Sequence, residues 1–297
     1  MGKNKLVRSL RRNYFCVSVV IFIFVLYLIL RFVPIGGTFY LSFHQWDLIK
    51  PDRPFVGLDN FRKLTSDFRF REALLNTTIF AGVLVPCSIV LSLLIATAIN
   101  SGIKFTKIYE LIYFIPVVIP MVPASIIWKW MYDPQYGILN YLLSLFNIEP
   151  KAWLVDPTLA LYSITLVCIW KVLGYNMVIF LVGLRNVPRT YLEAAEIDGA
   201  SWFQIFIRIV IPLIKPIILY LVVINTIDAF KIFTPVYTMT VGGQGSFGTE
   251  VKVIAYEIFQ NGFRYFKMGY ASAEALILFL IVTVITVVQF GLLRERE

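Results

Sequence analysis

Glu193-Ala194-Ala195-Glu196-Ile197-Asp198-Gly199-Ala200, followed by Ser201-Trp202-Phe203-Gln204 and then by Ile209-Val210-Ile211-Pro212, is a polar interruption between two long apolar stretches. Pro188 precedes it, and the fixed φ of proline suits a first helical turn, so a short helix is expected from there through Glu193 and Glu196 to Asp198. Gly199 can close that helix in the left-handed conformation without a steric penalty. Ser201 and Gln204 have the spacing of a capping box, which starts a second helix whose Trp202, Phe203, Phe206, Ile207 and Val210 lead into the next apolar stretch. Residues 188–212 are therefore predicted to form a helix, a sharp turn and another helix, with carboxylates at the tip.

Working outward, the chain of 297 residues is 59% hydrophobic and only 15% charged, with a mean hydropathy of +0.77. Soluble domains are roughly half apolar and about a quarter charged, so this is the composition of an all-α integral membrane protein. A membrane span needs about 20 mostly apolar residues. Six stretches qualify: 14–33, 76–99, 108–131, 158–182, 209–231 and 269–293. Trp128, Lys129, Trp130 and Tyr132 edge one of them, as interfacial belts require. The first stretch is too long for a signal-peptide core and runs into Arg31-Phe32-Val33-Pro34 rather than a small-residue cleavage site, so it reads as a retained helix. Lys3, Lys5, Arg8, Arg11 and Arg12 before it orient the N terminus to the cytoplasm, and six spans return the C terminus to the same side. Lys50, Arg53, Arg62, Lys63, Arg69 and Arg71 fall on the outer side, but the outer loops are longer, so the density of positive charge still favours the assigned inside.

The net charge of +9 is scattered over loops and span ends, which fits anionic lipid headgroups and not nucleic acid. Cys16, Cys87 and Cys168 each fall inside a span with no close partner, and read as packing residues and not as a disulfide set or zinc site. His44 is the lone histidine, which leaves neither a metal pair nor a catalytic dyad. With no nucleophile motif and no glycine-rich phosphate loop, the chain offers no catalytic residue and no nucleotide site of its own.

Between the spans, residues 34–75 are too polar to cross a bilayer and too aromatic for a free linker. They contain Trp46-Asp47 and the run Phe55-Val56-Gly57-Leu58-Asp59-Asn60-Phe61, and are expected to pack on the outer side. Pro116, Pro120 and Pro123 interrupt the third span; each removes a helix hydrogen bond, so this helix either borders a wet pathway or is kinked for structural reasons. Ile138 to Phe146 is too short to cross and reads as a re-entrant or interfacial helix. Gly242-Gly243-Gln244-Gly245 is a turn, followed by helical spacing of apolar residues from Val251 to Phe259. With no internal repeat or low-complexity tract, a single domain over 1–297 is the simplest division.

The offsets of Glu193-Ala194-Ala195, Gly199 and Ile209-Val210-Ile211-Pro212 resemble the EAA loop of permease subunits of bacterial ABC importers, with Ile211 where that family usually has Leu. The run Phe55 to Phe61 and the glycine-rich outer turn resemble maltose-type sugar permeases and extend the resemblance over most of the chain. It implies a six-helix type I ABC importer transmembrane domain with a cytoplasmic coupling helix, in the bacterial cytoplasmic membrane. It further implies import of a carbohydrate, either an oligosaccharide or a sugar derivative. Glu193, Ala194, Ala195, Glu196, Asp198, Gly199 and Ala200 become the ATPase-coupling residues. The implied partners are a second, homologous permease subunit in a heterodimer, two cytoplasmic ATPase subunits that bind ATP and Mg, and an extracytoplasmic solute-binding protein. This chain itself is expected to hold no cofactor and no metal.

Polar groups inside a span are costly and normally face a bundle interior or a wet cavity. Lys171 lies near the middle of the fourth span, on one helical face with Tyr175 and followed by Asn176. Asn225, Asp228 and Lys231 lie in the outer half of the fifth, and Glu274 lies one turn into the sixth. Two readings stand. Amides, carboxylates and phenols suit a hydroxyl-rich cargo, and the resemblance places substrate contacts on these two helices, with Tyr175 in register. Alternatively, Asp228 pairs with Lys231 and Lys171 finds a carboxylate on a neighbouring helix. An ion-coupled secondary transporter would use Lys171, Asp228 and Glu274 as its relay, but would also show inverted repeats, and none is visible.

Overall fold

The computed structural model describes residues 14–49, 51–240 and 251–293. The basic N-terminal residues Lys3 to Arg12 and the Gly242 to Gly245 turn lie outside them. The described residues are overwhelmingly helical, with two isolated antiparallel bridges, His44 with Phe55 and Asp47 with Lys267. Four helices are long and apolar enough to cross a membrane: Cys16–Ser42, Phe68–Asn100, Pro157–Arg185 and Met268–Gly291. The other two expected spans are broken. Thr106–Val118 and Met121–Met131 meet at 100°, and Trp202–Leu213 and Lys215–Phe230 at 67°, so six spans result when each bent pair counts as one.

The described residues divide into two compact units, the first comprising those up to Ser66 together with Ile258–Ile277. Helix α1 (Tyr14–Tyr27) passes through a π-helical turn, Leu28–Phe32, into α2 (Val33–Ser42). The expected end near Val33 is overrun because Pro34 falls in the first turn of α2, where its missing N–H is no loss. Helix α3 (Asp59–Ser66) is tied back by Asn60, whose Nδ2 donates to the carbonyls of Ser42 at 2.9 Å and His44 at 3.1 Å. His44 stacks on Tyr40 with ring centroids 4.0 Å apart and uses Nδ1 to donate to the Tyr40 carbonyl at 2.8 Å. Phe55 lies edge-on to His44 at 5.3 Å, and Phe61 packs on Phe43 at 5.4 Å. The aromatic run is thus a packed element, and the lone histidine is part of its core.

The second unit comprises Asp67–Glu257 and the chain from Leu278 onward. Its frame is α4 (Phe68–Asn100) against α8 (Pro157–Arg185), between which lie α5 (Thr106–Val118), α6 (Met121–Met131) and α7 (Ile138–Ser144) in chain order. Helix α7 matches the short helix expected over 138–146. Both long helices start on aspartate caps. Asp67 accepts from the Arg69 amide at 2.8 Å, and Asp156 accepts from the Thr158 amide at 2.8 Å and hydroxyl at 2.7 Å. The Thr158 hydroxyl, and then its amide, hold the Asp156 carboxyl below its ordinary range. Phe80, Leu84 and Ile89 of α4 form one core with Ile164, Val167, Cys168, Met177 and Phe180 of α8. Of the three cysteines only Cys168 is in this core; Cys16 and Cys87 lie exposed on helix surfaces, and all three are free thiols. The expected packing role therefore holds for Cys168 alone within this chain.

Helix α8 also crosses α5 at close range. A Cβ on Gly174 would collide with the Tyr113 carbonyl oxygen, so only glycine permits the approach. At the far end of the same crossing, Arg185 pairs with Glu110 at 2.7 Å. Gly174→Ala should therefore destabilise the purified protein by about 1–3 kcal/mol, the usual cost of overpacking. Gly82→Ala, where a Cβ meets nothing within 4 Å, should be neutral or mildly stabilising. Equal thermal midpoints for the two variants in detergent would contradict this account of the crossing.

Candidate functional site

The elbow after α8 is built from local rules. Pro188 is the N-cap of α9 (Arg189–Ile197), and Asp198 ends it. The Ala200 amide then donates to the Ala195 carbonyl at 2.9 Å and the Gly199 amide to the Glu196 carbonyl at 3.0 Å. That nested pair is a Schellman motif, which needs a left-handed residue at its centre. Gly199 supplies it with φ of 79°. No atom lies within 4 Å of where its Cβ would be, so the requirement for glycine within this chain is conformational and not steric.

Helix α10 (Trp202–Ile205) starts on the expected capping box. The Gln204 side chain accepts from the Ser201 amide at 2.8 Å, and the Ser201 hydroxyl accepts from the Gln204 amide at 3.4 Å. The chain continues through a π-helical turn, Phe206–Val210, and the short α11 (Ile211–Leu213), bends at Ile214 and enters α12 (Lys215–Phe230). Glu193, Glu196 and Asp198 are all exposed, and so are Tyr191, Trp202 and Phe203, while Ile197 is 86% exposed. Leu192, Ala195 and Ala200 turn the other way and pack on the core. The elbow thus presents carboxylates and large apolar groups outward while its inner face is anchored. A cavity of about 220 Å³ lies behind it, with Thr97, Asn100, Leu184, Trp202 and Phe206 among its lining residues.

The second polar feature is a seam between α8 and α12. The Tyr175 and Tyr220 hydroxyls are 3.1 Å apart. Asn176 lies one residue beyond Tyr175 and Asn225 five beyond Tyr220, and Asn225 Nδ2 donates to Asn176 Oδ1 at 3.2 Å and to the Leu221 carbonyl at 2.7 Å. Both asparagines are buried, and Asn176 Nδ2 has no hydrogen-bond partner. Asp228 and Lys231 are exposed and make no ion pair with each other among the described residues. Glu274, in the first unit, is buried and accepts from Asn261 Nδ2 at 3.0 and 3.1 Å.

Lys171 does not find the carboxylate that one reading gave it: its ammonium donates to the backbone carbonyls of Pro116, Val117 and Ile119. The relay imagined for an ion-coupled transporter therefore loses its lysine. Tyr220 was not anticipated, although a lone phenol five residues before Asn225 in an apolar stretch carries the same signal that singled out Asn225. Glu110, Arg185 and Gly174 were also missed.

Residues 69–295 match the family described as binding-protein-dependent transport system inner membrane component. The chain is 36% identical to the probable ABC transporter permease protein YesP of Bacillus subtilis, over 95% of this chain and 92% of that protein. It is 32% identical to the trehalose/maltose transport system permease protein MalF of Thermococcus litoralis, over 91% and 90%. Its fold matches a bacterial alginate ABC transporter crystallised with an alginate pentasaccharide-bound periplasmic protein, with a TM-score of 0.85 at 21% identity, over 98% of this chain and 97% of that one.

The Tyr175 and Tyr220 hydroxyls should be energetically coupled. A double-mutant cycle with Tyr175→Phe and Tyr220→Phe, read as thermal stability in detergent, should give a coupling of about 0.6 kcal/mol, the average for inter-helix hydrogen bonds in membranes. Strictly additive single changes would mean that the two phenols do not bond.

Proposed function

The chain belongs to the binding-protein-dependent transport system inner membrane component family, and on that premise we propose that it acts as one permease domain, the membrane subunit of an ATP-driven carbohydrate importer. The elbow carries this reading. A helix, a Schellman turn on Gly199 and a capped second helix put Glu193, Glu196, Asp198 and Ile197 on an exposed tip joined directly to the fifth span. Solvated carboxylates alone would be an ordinary loop; beside an 86% exposed isoleucine and an exposed Trp202 they make a docking surface. We assign the occupant as an ATPase subunit, present twice per transporter and holding ATP and Mg, with a second, homologous permease subunit completing a heterodimer. The tip then lies in the cytoplasm, as do both chain termini.

Carbohydrate as cargo draws on the relatives, one a trehalose/maltose permease, together with an alginate transporter of the same fold. The periplasmic protein in that complex is the kind of delivery partner we assign here. Within the chain, the Tyr175 and Tyr220 phenols, which bond to each other, and the exposed Asp228 and Lys231 side chains are groups that can meet hydroxyls, while Asn176 and Asn225 are buried. Few and weak contacts suit the task, because a transporter must release what it binds.

Gly199→Asp, which places a side chain at φ of 79° on the docking tip, should abolish sugar uptake by the reconstituted transporter while leaving the subunit in the membrane at normal abundance. Gly199→Asn, better tolerated in the left-handed conformation, separates turn strain from crowding of the docked partner. Full ATP-driven uptake by the aspartate variant would remove the main support for the importer reading.

A further inference from the structure

The break in the third span carries an account of itself in the backbone. In an unbroken helix the carbonyl of residue i accepts from the amide of residue i+4. For Pro116 that donor would be residue 120, and for Ile119 it would be residue 123; both are prolines, which have no N–H. For Val117 it would be Met121, the first residue of α6, which lies beyond the 100° bend. These are the three carbonyls that receive the Lys171 ammonium, with Val117 at 3.0 Å. A lysine has three donors and no acceptor, so each N–H meets one of the orphaned oxygens. The positive charge also faces the C-terminal end of α5, where the helix dipole favours a cation.

The approach that makes this possible is local too. Gly174, three residues on from Lys171, lets α8 press against the Tyr113 carbonyl, which brings the lysine stem to the break. Tyr175, one turn from Lys171, carries the hydroxyl that meets Tyr220.

We propose that Lys171 is a positioning residue for translocation: a tethered monovalent cation that fills a carbonyl cage in the broken third span, sets the angle between α5 and α6, and thereby shapes the wall beside the tyrosine pair. The cage is then a latent site for a small monovalent cation of the alkylammonium class once the lysine is shortened. The transport readout rests on the importer reading; the geometric readout does not.

The test uses the assembled transporter, in a background with the exposed native thiols removed by Cys16→Ala and Cys87→Ala, with spin labels at Tyr109→Cys on α5 and Ile127→Cys on α6, both exposed positions. In the parent and in Lys171→Arg, the distance between labels should be single and narrow. In Lys171→Ala it should shift or broaden, and uptake should fall by roughly ten- to a hundredfold, the range that hydrogen bonds to a charged group are worth. Millimolar n-propylammonium, which restores the deleted portion of the side chain, should recover both the distance and the uptake of Lys171→Ala. An unchanged distance in Lys171→Ala would overturn the proposal. So would a changed distance that neither arginine nor propylammonium restores, because the lysine would then be only a packing residue. A parent protein with the narrow distance but no ATP-driven uptake would instead count against the importer reading and leave the cage intact.

Discussion

A backbone carbonyl at membrane depth has no water to accept from, and this constraint governs the second unit of the structure. An unbroken helix satisfies it internally, as α8 does and as α4 does except at Pro86, which has no N–H to offer the Gly82 carbonyl. Wherever the chain departs from a straight helix, donors must come from elsewhere. At the third span they come from Lys171 on α8, across the crossing that Gly174 permits. At the bend of the fifth span, where Pro216 cannot donate to the Pro212 carbonyl, the Ile214 amide does so instead. Irregularity in this fold is therefore bought with specific side chains and specific turns, and those sites cluster around the Tyr175 and Tyr220 seam.

What could be read in advance follows the range of the forces involved. The elbow was legible almost atom by atom, because a capping box, a Schellman turn and a proline N-cap are set by residues within six positions of one another. The apolar stretches were legible as helices for the same reason. Their ends were less so: Pro34 looks like a terminator, yet in a first helical turn its missing N–H costs nothing, and the helix runs on to Ser42. The break at Ile214 was not anticipated, although Pro212 and Pro216 stand four apart, as Pro116 and Pro120 do. Pro216 cannot donate to the Pro212 carbonyl, so the signal was present and was read only once.

The polar side chains within spans were recognised as significant but their partners were not, since partnership is a tertiary property. Asn176 and Asn225 were singled out separately, and their mutual bond depends on how α8 and α12 are rotated. Lys171 was read either as a pathway group or as the partner of a carboxylate, which is the common solution for a buried cation. It finds carbonyls because the prolines had already created a cluster of unmet acceptors. Asp228 and Lys231, three residues apart in sequence, remain exposed and unpaired with each other, which no pairwise rule for helices would have suggested.

The bend at Ile214 also changes how the elbow can act. A straight helix from Ser201 to Phe230 would behave as a rod, with the force applied at the tip delivered along its axis. The observed path is a short capped helix, a π-helical turn over Phe206–Val210 and a 67° bend before α12 begins. The tip itself is tied together, because the Schellman turn and capping box hold its two helices by paired hydrogen bonds, and a cavity of about 220 Å³ lies behind it. On the proposed importer reading, a push on Ile197 would become a rotation about Ile214 and not a thrust, and the residues swept by it would be those on α12 nearest the bend. Tyr220 is among them, so the bond it makes to Tyr175 is placed where a movement of the elbow would first be felt.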